Sequence, residues 1–164
     1  KALEAETLQH FQAILRLDTQ NPPGNEYLVT DYLKGVLEKE GIPVELVASD
    51  PKRPNLVARL KGSGRKKPLL YMGHSDVVTV DPKKWTFPPF SATRDGGYIY
   101  GRGSLDDKPH VVAGLMTLLT WAVSRMSGGR RGLALGVGLA VGRQHLLPQA
   151  DHFVAVGIQL KGLG

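Results

Sequence analysis

Residues 68–76 read PLLYMGHSD, and residues 101–108 read GRGSLDDK. The first stretch decides the fold. PLLYMG is a short apolar run of the kind that forms a buried central strand, and it delivers His74-Ser75-Asp76 at its C-terminal end. Loops at the C-terminal ends of strands in α/β sheets are where ligands gather. A neutral imidazole is a common metal ligand whose second nitrogen needs an acceptor, and an aspartate two residues on can provide one. Taken alone, the H-x-D triplet is better read as a solvated loop with a structural histidine.

The second stretch has two glycines around Arg102, which permit tight turns and close backbone approach. Asp106 and Asp107 follow, just ahead of a helical pattern. An aspartate in that position is a natural helix N-cap. Adjacent carboxylates also offer a bridge between two cations. The chain has no cysteine, so any metal must be held by His, Asp or Glu, a donor set that suits zinc or a related divalent ion.

Working outward, Leu3, Leu8, Phe11, Ile14, Leu15 and Leu17 recur at helical spacing, with Glu4 and Glu6 in the first turn. Asn21-Pro22-Pro23-Gly24 breaks the chain. A second helix is expected over residues 26–40, with Leu28, Val29, Tyr32, Leu33, Val36 and Leu37 on its buried face and Gly41 as its stop. Strands are expected over residues 43–48, 55–60 and 68–73, a short one at Tyr98–Tyr100, and a helix over residues 109–123. This order suggests a layered α/β domain. Trp85, Phe87, Pro88, Pro89 and Phe90 form an apolar loop expected to pack over the sheet edge.

The last forty residues differ in character. Of 21 basic and 15 acidic residues, 5 and 1 fall in residues 125–164, which carry most of the net charge of +6. Nine of the 20 glycines lie beyond Met126, and no Glu follows Glu45. The run GGRRGLALGVGLAVGR has no clean period of 2 or 3.6 and reads as neither a sound helix nor a sound strand. A nucleic-acid surface would interleave its basic residues with aromatics, but this segment holds only Phe153. Nucleic acid is therefore not an expected partner, and neither is a membrane, because the apolar stretch of residues 132–141 is far too short and glycine-rich to span one. The N-terminal stretch KALEAETLQHFQAIL is amphipathic and acidic, unlike a signal peptide, so a cytoplasmic location is favoured.

Taken together, GHSDVV, Trp85 with Pro89-Phe90, the Asp95-Gly96 turn and GRGSLDDK resemble the metallopeptidase family of aminoacylase, acetylornithine deacetylase, succinyl-diaminopimelate desuccinylase and glutamate carboxypeptidases. LDTQNPPGNE and PNLVARL resemble it as well, and the likeness runs from about Leu8 to Leu119. It implies a three-layer helix-sheet-helix zinc-exopeptidase-like catalytic domain, here incomplete. Residues 1–124 would be its N-terminal part, and residues 125–164 an atypical glycine-rich basic tail, of the sort a truncated or frame-shifted reading of a longer gene produces.

Residue by residue, the resemblance makes His74 a zinc ligand, Asp106 the aspartate that bridges two zincs, and Asp76 the catalytic-site aspartate that orients His74. Asp107 stands at a variable position and receives no ligand role; Arg102 and Lys108 are structural. A cis bond is implied between Asp106 and Asp107. Two zinc ions, with cobalt or manganese as substitutes, would activate water and polarise the carbonyl of an N-acyl amino acid or a short peptide. The family's general base comes from a Glu-Glu pair thirty to forty residues beyond the bridging aspartate. This chain has Leu139, Ala140, Val141 and Gly142 in that window, so it is expected to be inactive alone. His145, Asp151 and His152 are the remaining donors of the tail. The competing expectation is a non-catalytic binding module on the same fold, its basic tail meeting an acidic partner.

Overall fold

A computed structural model describes residues 2–62, 67–126 and 137–142. Three helices and six strands occur along these residues. Helix α1 spans Ala2–Leu15 and α2 spans Tyr27–Lys39; strands β1 (Val44–Val47), β2 (Asn55–Leu60) and β3 (Leu69–His74) follow. After a short 3₁₀ turn at Pro82–Lys84 come β4 (Thr93–Asp95), β5 (Tyr98–Tyr100), helix α3 (Lys108–Met126) and β6 (Val137–Gly142).

The helices form where the apolar spacing places them. In α2, Val29, Leu33 and Leu37 are buried at every fourth position. The helix closes with a Schellman arrangement: Ile42 N–H donates to Leu37 O and Gly41 N–H to Glu38 O. Gly41 has φ +69°, the left-handed conformation this cap requires. The turn between β4 and β5 uses the same freedom: Asp95 pairs with Tyr98 across Gly96 and Gly97, both at positive φ, a two-residue hairpin of the primed kind.

The main sheet has the order β1-β2-β6-β3. Leu56 and Ala58 of β2 point into one core with Ile14 of α1, the buried stripe of α2, and Val111, Val112, Leu115, Leu118 and Leu119 of α3. Helices α2 and α3 pack on the sheet around this core, and α1 packs against α3. Each fully buried leucine contributes about 1.5–3 kcal/mol by leaving water. These are two layers of the expected three; no helix on the opposite face occurs among the described residues. None of the described helices is long and apolar enough to cross a membrane.

Two expectations need correction. The run at residues 137–142 is a strand after all, antiparallel to β2 and parallel to β3. Its glycines hid the alternation, but pairing on both edges satisfies the backbone without any help from side-chain pattern. Among the described residues β3 therefore lies at one end of this sheet, where a central strand was expected. Met72 on its outer face is 57% exposed, while α3 covers the other face.

Candidate metal centre

Strand β3 ends at His74, so the imidazole stands where the sheet gives way to loop. Asp76 lies beyond the turn. The Asp106–Asp107 bond, cis as the resemblance implies, sits directly before α3. Gly73 lets these elements meet: a Cβ there would come within 3.2 Å of Val111 Cγ2 and 3.3 Å of Asp107 Oδ2.

The structure brings His74, Asp76 and Asp106 together. His74 Nδ1 faces Asp76 Oδ1 at 3.0 Å, and His74 Nε2 faces Asp106 Oδ1 at 3.0 Å, across 32 residues of sequence. The ring and Asp76 are four-fifths covered, whereas the Asp106 side chain is 87% exposed. A hydrogen bond to Asp76 raises the imidazole pKa from 6.5 to about 9, with Asp106 adding to the effect and partial burial opposing it. The same contact holds the Asp76 carboxyl below its ordinary value. Two carboxylates around one ring make a place that favours positive charge.

A metal ion satisfies that preference as a proton does. Zinc bonds to nitrogen and carboxylate oxygen are about 2.0–2.2 Å, so donors 3.0 Å apart span a single ion. With Nδ1–H committed to Asp76, the Nε2 lone pair is the one left to bind. The donor set fits zinc, for which His74 and Asp106 would supply two protein ligands. Among the described residues no group of three His, Asp or Glu side chains is arranged to hold a metal ion. His145, Asp151 and His152 lie outside the described residues. The window expected to carry a Glu-Glu pair is strand β6, whose Gly142 pairs with His74.

Surrounding groups brace the site. Asp107 Oδ2 accepts the main-chain N–H of His74 at 3.2 Å, and its other oxygen faces the His110 ring. Asn21 Nδ2 donates to Asp76 Oδ2 at 3.3 Å. Lys108 is fully buried; its ammonium donates to Leu17 O at 2.7 Å and lies 5.8 Å from the centre of the Phe90 ring. Arg102 stacks over Trp85 at 5.2 Å, so the apolar loop is clamped by the glycine motif. Sequence reasoning found the ligand candidates and read Lys108 and Arg102 as structural. It missed Asn21 and the bracing role of Asp107, because contacts between distant segments leave no local signature.

An imidazole thus stands between two carboxylates at a strand end, on a layered α/β scaffold. Residues 70–128 match the model of peptidase family M20/M25/M40, and over this region the chain is similar to that family. The "Probable succinyl-diaminopimelate desuccinylase" of Staphylococcus aureus strain Mu50 is 37% identical over 118 residues, covering 71% of this chain and 28% of the relative. An uncharacterized carboxypeptidase of Schizosaccharomyces pombe is 49% identical over 73 residues, 42% of this chain and 12% of the relative. Among solved structures, the M20 family metallo-carboxypeptidase Sso-CP2 of Sulfolobus solfataricus superposes with a TM-score of 0.70 at 28% identity, covering 84% of this chain and 30% of that one. Human carnosine dipeptidase 1 shares the fold, with a TM-score of 0.68 at 19% identity over 84% of this chain and 31% of that one. The chain spans less than a third of the length of these relatives.

Proposed function

We propose that this chain supplies half of a co-catalytic metal centre for hydrolysing amide bonds in N-acyl amino acids or short peptides. The observation that carries the reading is the convergence of His74 Nε2 and Asp106 Oδ1 at 3.0 Å, with Asp76 on the opposite ring nitrogen. The similarity to a desuccinylase and to carboxypeptidases supports the same class of bond.

His74 and Asp106 hold the ion in this reading, zinc by preference and cobalt or manganese as substitutes. Asp106, being exposed, is free to share its second oxygen with a second ion. Asp76 fixes the His74 ring and keeps the proton on Nδ1. A bound divalent cation of this kind supplies Lewis acidity to water and to the substrate carbonyl. A general base adds roughly 10²–10⁴ in rate, and the chain offers no Glu beyond Glu45 to act as one. The 164-residue chain is therefore expected to bind metal weakly and to turn over slowly.

Calorimetric titration with zinc and cobalt, paired with hydrolysis of N-acetyl-methionine and a dipeptide panel, tests the proposal. Weak binding that His74→Ala abolishes, with little turnover, is the expected result. Metal binding indifferent to both His74→Ala and Asp106→Asn would overturn it. Tight binding of two ions with rapid turnover would mean that residues beyond Gly142 complete the site, and Asp151→Ala and His152→Ala would then identify them.

A further inference from the structure

The loop between α1 and α2 is stitched to the loop that carries His74 and Asp76. Val77 N–H donates to Thr19 O at 3.0 Å, and Asn21 N–H donates to Val77 O at 2.8 Å, forming a parallel bridge centred on Gln20 and Val77. Thr19 Oγ1 donates to Ser75 O, and Val80 N–H donates to Gln20 Oε1 at 2.7 Å. Thr19 and Ser75 are fully buried. The main chain of residues 19–21 is thereby locked against residues 75–80.

From that fixed backbone one side chain reaches into the site. Asn21 Nδ2 donates to Asp76 Oδ2, while Asp76 Oδ1 takes the His74 ring proton. The two oxygens of Asp76 thus have different partners on opposite sides. Rotation of the carboxylate would break both bonds at once, so the Asn21 amide fixes which oxygen faces the imidazole. A carboxylate satisfied on one side and aimed on the other is the arrangement that orients a metal-ligating histidine.

We propose that Asn21 is a positioning residue for the His74 metal ligand, acting through Asp76. The inference rests on the metal-centre reading above and extends it to a third layer, drawn from a segment more than fifty residues upstream. Asn21 touches neither the ion nor the substrate. It limits the freedom of Asp76, and through it the direction of the His74 Nε2 lone pair.

The test uses the 164-residue chain with Asn21→Ala and the isosteric Asn21→Asp, which replaces the donor by an acceptor. Two quantities are read: cobalt affinity by calorimetry, and the hydrogen exchange of the His74 Nδ1–H by NMR on the ¹⁵N-labelled, metal-free chain. Both variants are expected to weaken cobalt binding about 10–100-fold and to speed the Nδ1–H exchange by a similar order. Ile42→Val, which trims the core and touches none of these groups, is the control: a lower Tm with both readouts at wild-type values. If Asn21→Ala does not fold, Asn21→Asp carries the comparison. Wild-type exchange and affinity in a folded Asn21→Asp chain would overturn the proposal. A wild-type chain that binds no cobalt would instead sink the hydrolase reading, and the exchange measurement would still decide the role of Asn21.

Discussion

The carboxylate of Asp107 accepts the main-chain N–H of His74 at 3.2 Å, joining the residue ahead of α3 to the last residue of β3, 33 positions earlier. Asp106 and His74 therefore share one mechanical frame: the carboxylate next in sequence to the first pins the backbone of the second. The aspartate pair divides its labour, one side chain open to solvent, the other turned inward.

Asp107→Ala should accordingly act on both stability and metal affinity. Leaving the partly buried His74 amide without its acceptor costs about 1–3 kcal/mol, readable as a lower midpoint in urea denaturation. Cobalt affinity should fall with it, because the ring loses its anchored backbone. Asp107→Asn keeps an oxygen acceptor and should retain most of both. Equal losses in Asn and Ala would show that the charge, and not the acceptor, is what matters.

Gly103 should resist replacement for two reasons. Its φ is +86°, and a Cβ would approach Val77 Cγ1 to 2.8 Å and Lys108 Cδ to 3.1 Å. Both neighbours flank the site, so Gly103→Ala should lower the thermal midpoint and weaken cobalt binding together. Gly35→Ala provides the contrast: nothing lies within 4 Å of its Cβ position, and it sits inside α2. It should stabilise the chain by about 0.5–1 kcal/mol through the better helix propensity of alanine.

Glu26 is 1% exposed and takes both Nε and Nη2 of Arg53. Arg53→Met should cost about 3–5 kcal/mol, because a buried carboxylate is left without its partner. Glu26→Gln added to Arg53→Met should recover part of that loss. Gly24→Ala should resemble Arg53→Met, since its Cβ would sit 2.4 Å from Arg53 Nε, and Gly24 itself has φ +87°. Denaturation of the three variants side by side checks all of this. A mild effect of Arg53→Met would mean that Glu26 finds another partner or a proton.

Most of this frame was legible in the sequence. The helices were visible because Val29, Leu33 and Leu37, and later Val111, Leu115 and Leu118, repeat at the spacing that one buried face demands. His74 and Asp106 were visible because strand-end and glycine-turn motifs keep their residue types together. Strand β6 was not, because Gly138 and Gly142 interrupt the alternation by which a strand is recognised. The end position of β3 among the described residues depended on β6 and went with it. Asn21 and Asp107 were invisible as braces for a different reason. Each acts on a residue far away in the chain, and only the folded backbone brings the donor to its acceptor.

Lys108 gives the chain a pH dependence with a definite sign. Burial lowers its pKa from 10.5 to about 8, against a small opposing effect of Asp18. Between those values the unfolded chain holds a proton that the folded chain has given up, so stability rises with pH from about 8 to 10.5. The full interval corresponds to about 3 kcal/mol. His74 works in the opposite sense: its folded pKa of about 9 contributes stability that is complete below 6.5 and lost as pH rises through 9. The two overlap between 8 and 9, so the wild-type curve alone does not isolate either. Lys108→Met separates them, because its long apolar chain fills the same space without an ionisable group. Chemical denaturation of both chains from pH 7 to 10.5 should show the wild type gaining on Lys108→Met as pH rises above 8. The variant loses the bond to Leu17 O at every pH, so its deficit or surplus at pH 7 is a constant offset and the slope carries the information. A difference between the two chains that stays flat across this range would mean that the buried ammonium keeps its proton, held by Leu17 O and Asp18 against the cost of burial.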